Sequence, residues 1–391
     1  MTAPEAPPPP TSLREATSPI EGEEDQNLPP PCGEGGACSA TGGGLRARVI
    51  ARIAAEGPIT VADYMQACLH DPAAGYYATR PGLGAAGDFI TAPHVSQMFG
   101  ELLGAWAAEI WRQMGAPARV RLVELGPGDG TMMSDVLRAA HAAPGFVEAI
   151  ELVLMETSAP LRAIQAGKLP TVRWIDSIDR LGGETPLIVL ANEFLDCLPI
   201  RQAVKCADGW RERRVGVGSD GALAFVVGEA LSWMGPPVTT NEISEGTILE
   251  FSWVLDTVAR DISRTIAVAG GAALFIDYAS DGFGDTLQAL RGHRKETALA
   301  SPGLADLTAR VDLDHFCALC RDVDTFGPVG QGAFLQALGI EARAAALARA
   351  NPSEAAKIGR QVARLTGSEQ MGELFKVACI ASPGLQPPGF S

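Results

Sequence analysis

An open, doubly wound α/β sheet is the fold class this sequence predicts, and three observations predict it. The apolar run from Val120 to Leu125 reads as a buried strand. Glycines at alternate positions, Gly126, Gly128 and Gly130, follow it, and then a helix-like segment from Met132 to Ala140. Strand, glycine loop and helix form the nucleotide-binding turn of such a sheet. Further short apolar runs, Glu151 to Glu156, Val172 to Ile175, Leu187 to Asn192 and Ala272 to Asp277, are mostly separated by helical segments. Strands alternating with helices imply parallel strands covered on both faces. The stretch from Arg201 to Glu229 differs. Its runs Ala203 to Cys206, Arg211 to Val217 and Leu223 to Val227 are joined by Asp208-Gly209 and Ser219-Asp220-Gly221. That texture predicts an inserted antiparallel ribbon.

The elements follow in chain order. Residues 1–44 are rich in proline, glycine and acid, and read as a disordered tail that includes Cys32 and Cys38. A helical region is expected over 45–117. Val49, Ile50 and Ile53 recur at helical spacing, and Thr60 is placed to cap a second helix through Tyr64, Met65 and Leu69. A glycine-rich loop from Pro81 to Gly87 leads into Asp88-Phe89-Ile90-Thr91, then a long apolar helix through Met98, Leu102, Leu103 and Trp106. The nucleotide-binding core is expected over 118–280, with the ribbon at about 201–229. Over 281–381 come a strand from Thr286 to Leu290, two helices (Gly332 to Ala350 and Ser353 to Leu365) and a last strand from Leu374 to Ile380. Residues 382–391 are expected to form a flexible tail.

Composition narrows the function classes. The formal net charge is −15 and the apolar fraction 47%; the isoelectric point is near 4.8 and the mean hydropathy +0.11. An acidic chain lacks the basic face that nucleic-acid binding requires. No apolar run approaches the roughly 18–20 residues of a membrane span, so no membrane insertion is expected. The eight cysteines are scattered. The lone CxxC, Cys317 to Cys320, falls on helix-core spacing and lacks a second pair to complete a zinc site. Free thiols and the absence of a signal-peptide core or an arginine-rich transit peptide favour a bacterial cytoplasmic protein.

The chemistry-bearing residues cluster at strand ends. Glu124 stands two residues before Gly126, facing the crevice where a dinucleotide would place its phosphates. A carboxylate repels phosphate and attracts a cation. S-adenosylmethionine (SAM) carries an ammonium and a sulfonium and no phosphate, so Glu124 points to SAM. The glycines admit its methionine half, because a Cβ would block the approach or the dihedrals. Glu156 ends the second strand, where an acid accepts hydrogen bonds from ribose hydroxyls. Asp176, after the third strand, either accepts from the adenine amino group or caps the segment from Ile178. The fourth strand ends in Asn192-Glu193-Phe194-Leu195-Asp196. One amide and two carboxylates there can orient a guanidinium as methyl acceptor, or simply cap a turn. Asp277 closes the fifth strand as a site residue or a cap. No metal is required by this chemistry.

Taken in order, Gly87-Asp88-Phe89-Ile90-Thr91, the loop from Glu124 to Thr131, Asn192 to Asp196, Phe275-Ile276-Asp277-Tyr278, Ala305-Asp306-Leu307-Thr308, Gln331-Gly332 and Met371 to Lys376 resemble the MidA-type family of SAM-dependent protein arginine methyltransferases. The resemblance spans roughly residues 45–381. It implies a seven-stranded, Rossmann-like methyltransferase core with a substrate-side region. It also implies symmetric dimethylation of an arginine in the large quinone-site subunit of respiratory complex I, in support of complex I assembly. In a eukaryotic member the mitochondrial matrix would be the compartment. By matched position, Gly126, Gly128 and Glu156 would bind SAM, and Asp88 with the turn from Asn192 to Asp196 would border the active site. His94, Cys197 and Arg310 depart from the family's usual residues; near the acceptor, His94 or Arg310 would favour another protein or a small molecule as substrate. Two other classes compete: an NAD-dependent oxidoreductase using the same loop, and a non-catalytic assembly factor. The oligomeric state, homodimer included, is left open.

Overall fold

The computed structural model describes residues 39–79, 91–231, 243–280 and 282–390. The expectations for the tail before Ser39, for the loop from Pro81 and for Asp88 fall outside these residues. Seven strands form the central sheet: β1 (Val120–Leu125), β2 (Ile150–Met155), β3 (Arg173–Ile175), β4 (Leu187–Asn192), β5 (Gly271–Tyr278), β6 (Asp324–Gly330) and β7 (Phe375–Ala381). Their spatial order is β6-β7-β5-β4-β1-β2-β3. The run from β5 to β3 is parallel, whereas β7 is antiparallel to both β5 and β6. The order reverses at β1, so the carboxyl ends of β1 and β4 open onto one crevice.

Alternate residues along each strand feed opposite layers. Val120, Leu122, Ile188, Leu190, Leu274 and Ile276 join one apolar cluster; Val123, Leu125, Val189, Ala191 and Phe275 join another. Both faces are therefore covered, which explains why the strands read as continuous apolar runs rather than alternating ones. Each such buried aliphatic side chain contributes about 1.5–3 kcal/mol. Glu124 and Asn192 continue the parity of the first cluster at the ends of their strands, so a core-facing position there carries a polar group.

Helix α1 (Ser39–Glu56) starts ahead of the expected boundary at residue 45. Three glycines weaken its first turns, but Leu45, Val49 and Ile53 anchor it in a third apolar cluster. Helix α2 (Val61–His70) is capped as expected, with Thr60 Oγ1 accepting from the Asp63 N–H at 3.0 Å. Helix α3 (Gln97–Gln113) is the long apolar helix. Helices α4 (Thr131–Ala140) and α5 (Ala159–Lys168) follow β1 and β2.

The ribbon is larger than its sequence texture suggests. Its three strands, Arg201–Cys206, Gly209–Val217 and Leu223–Ala230, pair with Ile59–Thr60 and Ile248–Phe251 to make a five-stranded sheet. A small three-stranded sheet, Gln288–Arg291, Arg294–Glu296 and Asp306–Thr308, lies beyond β5. The expected helix from Gly332 to Ala350 is two helices, Gln331–Ala337 and Ile340–Ala350, because Gly339 turns left-handed (φ +89) between them. Ser353 lies in a 3-10 turn before the helix Ala355–Thr366. Cys317 lies in a short helix, and Cys320 is its buried C-cap, with Sγ donating to the Phe316 carbonyl at 3.4 Å. The CxxC is thus part of the packing. Among the described residues no helix is long and apolar enough to cross a membrane.

Candidate active site

A cavity of about 510 Å³ opens at the carboxyl ends of β1, β2 and β4, the size of a small-molecule site. At one end the glycine loop forms its wall. Gly126, Gly128 and Gly130 have φ of +65, +53 and +79, which side chains with a Cβ rarely adopt. A Cβ on Gly126 would also lie 3.1 Å from the Phe194 ring. The Gly126 N–H donates to the Met155 carbonyl at 3.1 Å, tying the loop to β2. Asp129 accepts from the Thr131 N–H at 3.0 Å and from Lys168 at 2.7 Å. Burial alone would raise its carboxyl, but His94, Lys168 and Thr131 together hold it below the usual carboxylate range.

Glu124 is buried on the cavity wall, and its Oε2 has no partner among the described residues. Burial, then the negative charges of Asp129 and Glu156, push its carboxyl well up. An acid so placed is unsatisfied until a cation or donor arrives. Glu156 also lines the cavity; Oε1 accepts from the Ser158 N–H at 2.7 Å, and burial raises this carboxyl against its hydrogen bonds. Asp176 does not join them. It follows the short β3, its side chain is 63% exposed beside Arg180, and it does not border the cavity. Ser177, not Asp176, takes the cap position of the next helical turn.

Gln165 was not singled out from sequence, because a mid-helix glutamine usually faces solvent. It is fully buried. Its Nε2 donates to the Gly128 carbonyl at 2.7 Å and lies 3.4 Å from Glu156 Oε2, while Trp174 Nε1 donates to its Oε1 at 2.7 Å. One side chain on α5 thus joins the glycine loop to Glu156. Gln165→Leu is expected to weaken SAM binding about 10-fold by releasing both; calorimetry showing wild-type affinity would remove that role.

Beside the loop is the turn after β4, a strand that pairs with β1 up to Ala191 opposite Leu125. Asn192 Nδ2 donates to Glu193 Oε1 at 2.9 Å, and Asn192 Oδ1 is buried without a partner among the described residues. Glu193 has a left-handed backbone (φ +52), a strained state for a residue with a Cβ. Asp277 stabilises this turn as a cap. Its Oδ2 accepts from the N–H groups of Phe194, Leu195 and Asp196 at 3.1, 2.8 and 3.3 Å. Burial pushes Glu193 up to about 7 and Asp277 to about 7, and pushes Asp196 well up. Asp306, from the three-stranded sheet, accepts from Tyr77 Oη at 2.8 Å and borders the same space. No Lys or Arg among the described residues forms a salt bridge with Glu193, Asp196 or Asp277. Cys197 and His94 line the cavity; Arg310 is exposed and does not.

A positive-φ glycine cradle, an orphaned buried carboxylate beside it and a second carboxylate at the end of β2 fit the methionine and ribose parts of SAM, which supplies an electrophilic methyl group when bound. Fold and cavity together define a SAM-dependent methyltransferase. The chain belongs to the family described as putative S-adenosyl-L-methionine-dependent methyltransferases, whose model matches residues 102–329. It is 36% identical over 355 residues to the mitochondrial protein arginine methyltransferase NDUFAF7 of Danio rerio, covering 83% of this chain and 84% of that one. It is 35% identical to the Homo sapiens protein of the same name, over 83% and 80% of the two chains. A Burkholderia thailandensis structure bound to S-adenosyl-homocysteine superposes with a TM-score of 0.77 at 27% identity, over 88% of this chain and 92% of the other. The native form of a Burkholderia thailandensis protein gives 0.75 at 29%, with the same coverage.

Proposed function

We propose that this methyltransferase modifies arginine side chains of a protein, with Glu193 and Asp196 receiving the guanidinium. The observation that carries this is the group of buried acids at the end of β4 and β5, to three of which no described Lys or Arg pairs. A guanidinium is always charged and presents a fork of donors that matches carboxylates. Asn192 Oδ1, without a partner among the described residues, supplies one more acceptor. On this reading Glu124, Glu156 and the glycine loop hold SAM. The N-terminal helices and the three-stranded sheet, which contribute His70, Tyr77, Asp306 and Thr308 to the wall, close the acceptor end.

The charge balance follows. A guanidinium nitrogen displaces the thioether from the methyl carbon, forming C–N as C–S breaks. The methylated guanidinium stays cationic, so one proton leaves per methyl. Glu193, raised towards neutrality, is placed to take that proton and pass it to water. The rate gain rests chiefly on alignment in a desolvated cleft.

The acceptor is proposed to be a complex I subunit, the large quinone-site subunit, with symmetric dimethylation in support of assembly. The ordered motifs support it, and the names of the relatives support a protein arginine as the acceptor. Those relatives carry mitochondrial names; a reducing compartment, matrix or bacterial cytoplasm, suits the free thiols. Labelled SAM, incubated with this enzyme and a lysate from cells lacking it, tests the acceptor. Label recovered as methylarginine in hydrolysed protein is expected. Label on lysine, on a carboxyl group or on a small molecule would overturn the reading.

The same cluster sets a pH dependence. Glu193 has its folded-state value near 7, above the ordinary 4.5. Between these values the folded protein holds more protons than the unfolded chain, so stability falls as pH rises. Asp129 is shifted the opposite way, but that acts below its ordinary value of 3.8. The melting temperature of the free enzyme is expected to fall from pH 5 to pH 8, with a shallower slope in Glu193→Gln. A rise over that range would contradict the assignment.

A further inference from the structure

We propose that His94 holds the carboxylate of the cofactor's methionine half. The ring sits in the helical turn Ala92–Val95, against the glycine loop and on the cavity wall. Thr91 Oγ1 lies 2.8 Å from Nδ1, and the His94 N–H donates to the Thr91 carbonyl at 2.9 Å, so the ring is fixed from one side. Its other nitrogen, Nε2, is buried and has no hydrogen-bond partner among the described residues. Asp129 Oδ2 lies 3.4 Å away, close enough to act as a charge but not aligned as a hydrogen bond.

That neighbour decides the tautomer. Asp129 is anchored by Lys168 and by the Thr131 N–H, and it favours the proton on Nε2. Nδ1 then accepts from the Thr91 hydroxyl. The result is a buried N–H donor at the loop whose nearest acceptor among the described residues, Asp129 at 3.4 Å, is poorly aligned to it and already engaged by Lys168 and the Thr131 N–H.

The chemistry of SAM supplies one. Its ammonium and carboxylate sit on the same carbon. An acid such as Glu124 suits the ammonium, so a donor must stand nearby for the carboxylate. No Lys or Arg lines the cavity among the described residues; the basic side chains that do are His70 and His94. His70 packs on Tyr77, with ring centroids 5.7 Å apart, and Tyr77 bonds Asp306 at the acceptor end. His94 alone of the two stands at the glycine loop. The assignment concerns the cofactor and does not depend on which acceptor is methylated.

The test compares calorimetric binding of SAM with that of decarboxylated SAM, which keeps the sulfonium and an amine but lacks the carboxylate. Wild-type enzyme is expected to prefer SAM by about 10-fold or more, the worth of a hydrogen bond to a charged group. His94→Ala should lose most of that preference by weakening SAM while binding the decarboxylated analogue as before. His94→Gln, which keeps a donor, should retain part of it. Unaltered SAM affinity in His94→Ala would overturn the proposal, and so would an equal loss for both ligands, which would mark the ring as loop packing. If His94→Ala fails to fold, as its melting curve would report, the same comparison in His94→Gln decides: preference kept in part supports the proposal, and equal loss for both ligands overturns it.

Discussion

Glu193→Gln is expected to lower methyl transfer by roughly 10²–10⁴-fold, the usual worth of a positioned proton acceptor. The substitution keeps size and leaves an oxygen for Asn192 Nδ2, so the turn after β4 should survive. What it removes is a negative charge facing the acceptor and a site for the departing proton. Asp196→Asn should act chiefly on acceptor binding, because Asp196 is buried beside Asp277 and both would share the cation. SAM affinity should change less than methyl transfer in either variant, since neither residue belongs to the glycine loop or to the Glu124 and Glu156 pair. Steady-state kinetics and calorimetry together separate the two effects. If both variants keep full transfer, the acceptor does not bind at the end of β4.

Gly128→Val is the second large effect, on the cofactor instead of the acceptor. Gly128 has φ +53, and its carbonyl is held by Gln165 at 2.7 Å. A β-branched side chain in that conformation costs about 1–3 kcal/mol of backbone strain, and its methyl groups would enter the space where the methionine half approaches. SAM binding should fall below detection in a calorimeter, with transfer lost in parallel. Wild-type affinity in a folded Gly128→Val protein would show that the cofactor does not lie along this loop.

Why some of this was legible from residues alone is a matter of where polar groups stand. Glu124, Glu156 and the turn from Asn192 to Asp196 each interrupt or directly follow an apolar strand, and a doubly wound sheet sends all such strand ends to one crevice. Strands β1, β4 and β5 could be read for the same reason, being buried on both faces. Gln165 gave no such signal, because burial of one mid-helix residue depends on what packs above it. Tyr77 and His70 reach the cavity from elements distant in sequence, so no local pattern announces them; Asp306 stands in the motif Ala305 to Thr308, which by itself carries no sign that it reaches the cavity. Asp176 does not border the cavity, because β3 is only three residues long and the side chain that follows it faces solvent. The two-residue strand Ile59–Thr60 pairs with Val215 and Arg214 across the chain, which a periodicity argument cannot detect at that length. Asp277 was left between two roles; its acceptance of three consecutive N–H groups from the turn makes it the cap that shapes the acceptor end.

One cavity with a cofactor end and an acceptor end is the central claim, and a crystal structure of the enzyme with S-adenosylhomocysteine tests it most directly. The amino group is expected on Glu124, the ribose hydroxyls on Glu156, and the sulfur opening towards Glu193 and Asp196. A thioether directed away from the turn after β4, with those carboxylates out of reach of any methyl acceptor, would contradict it.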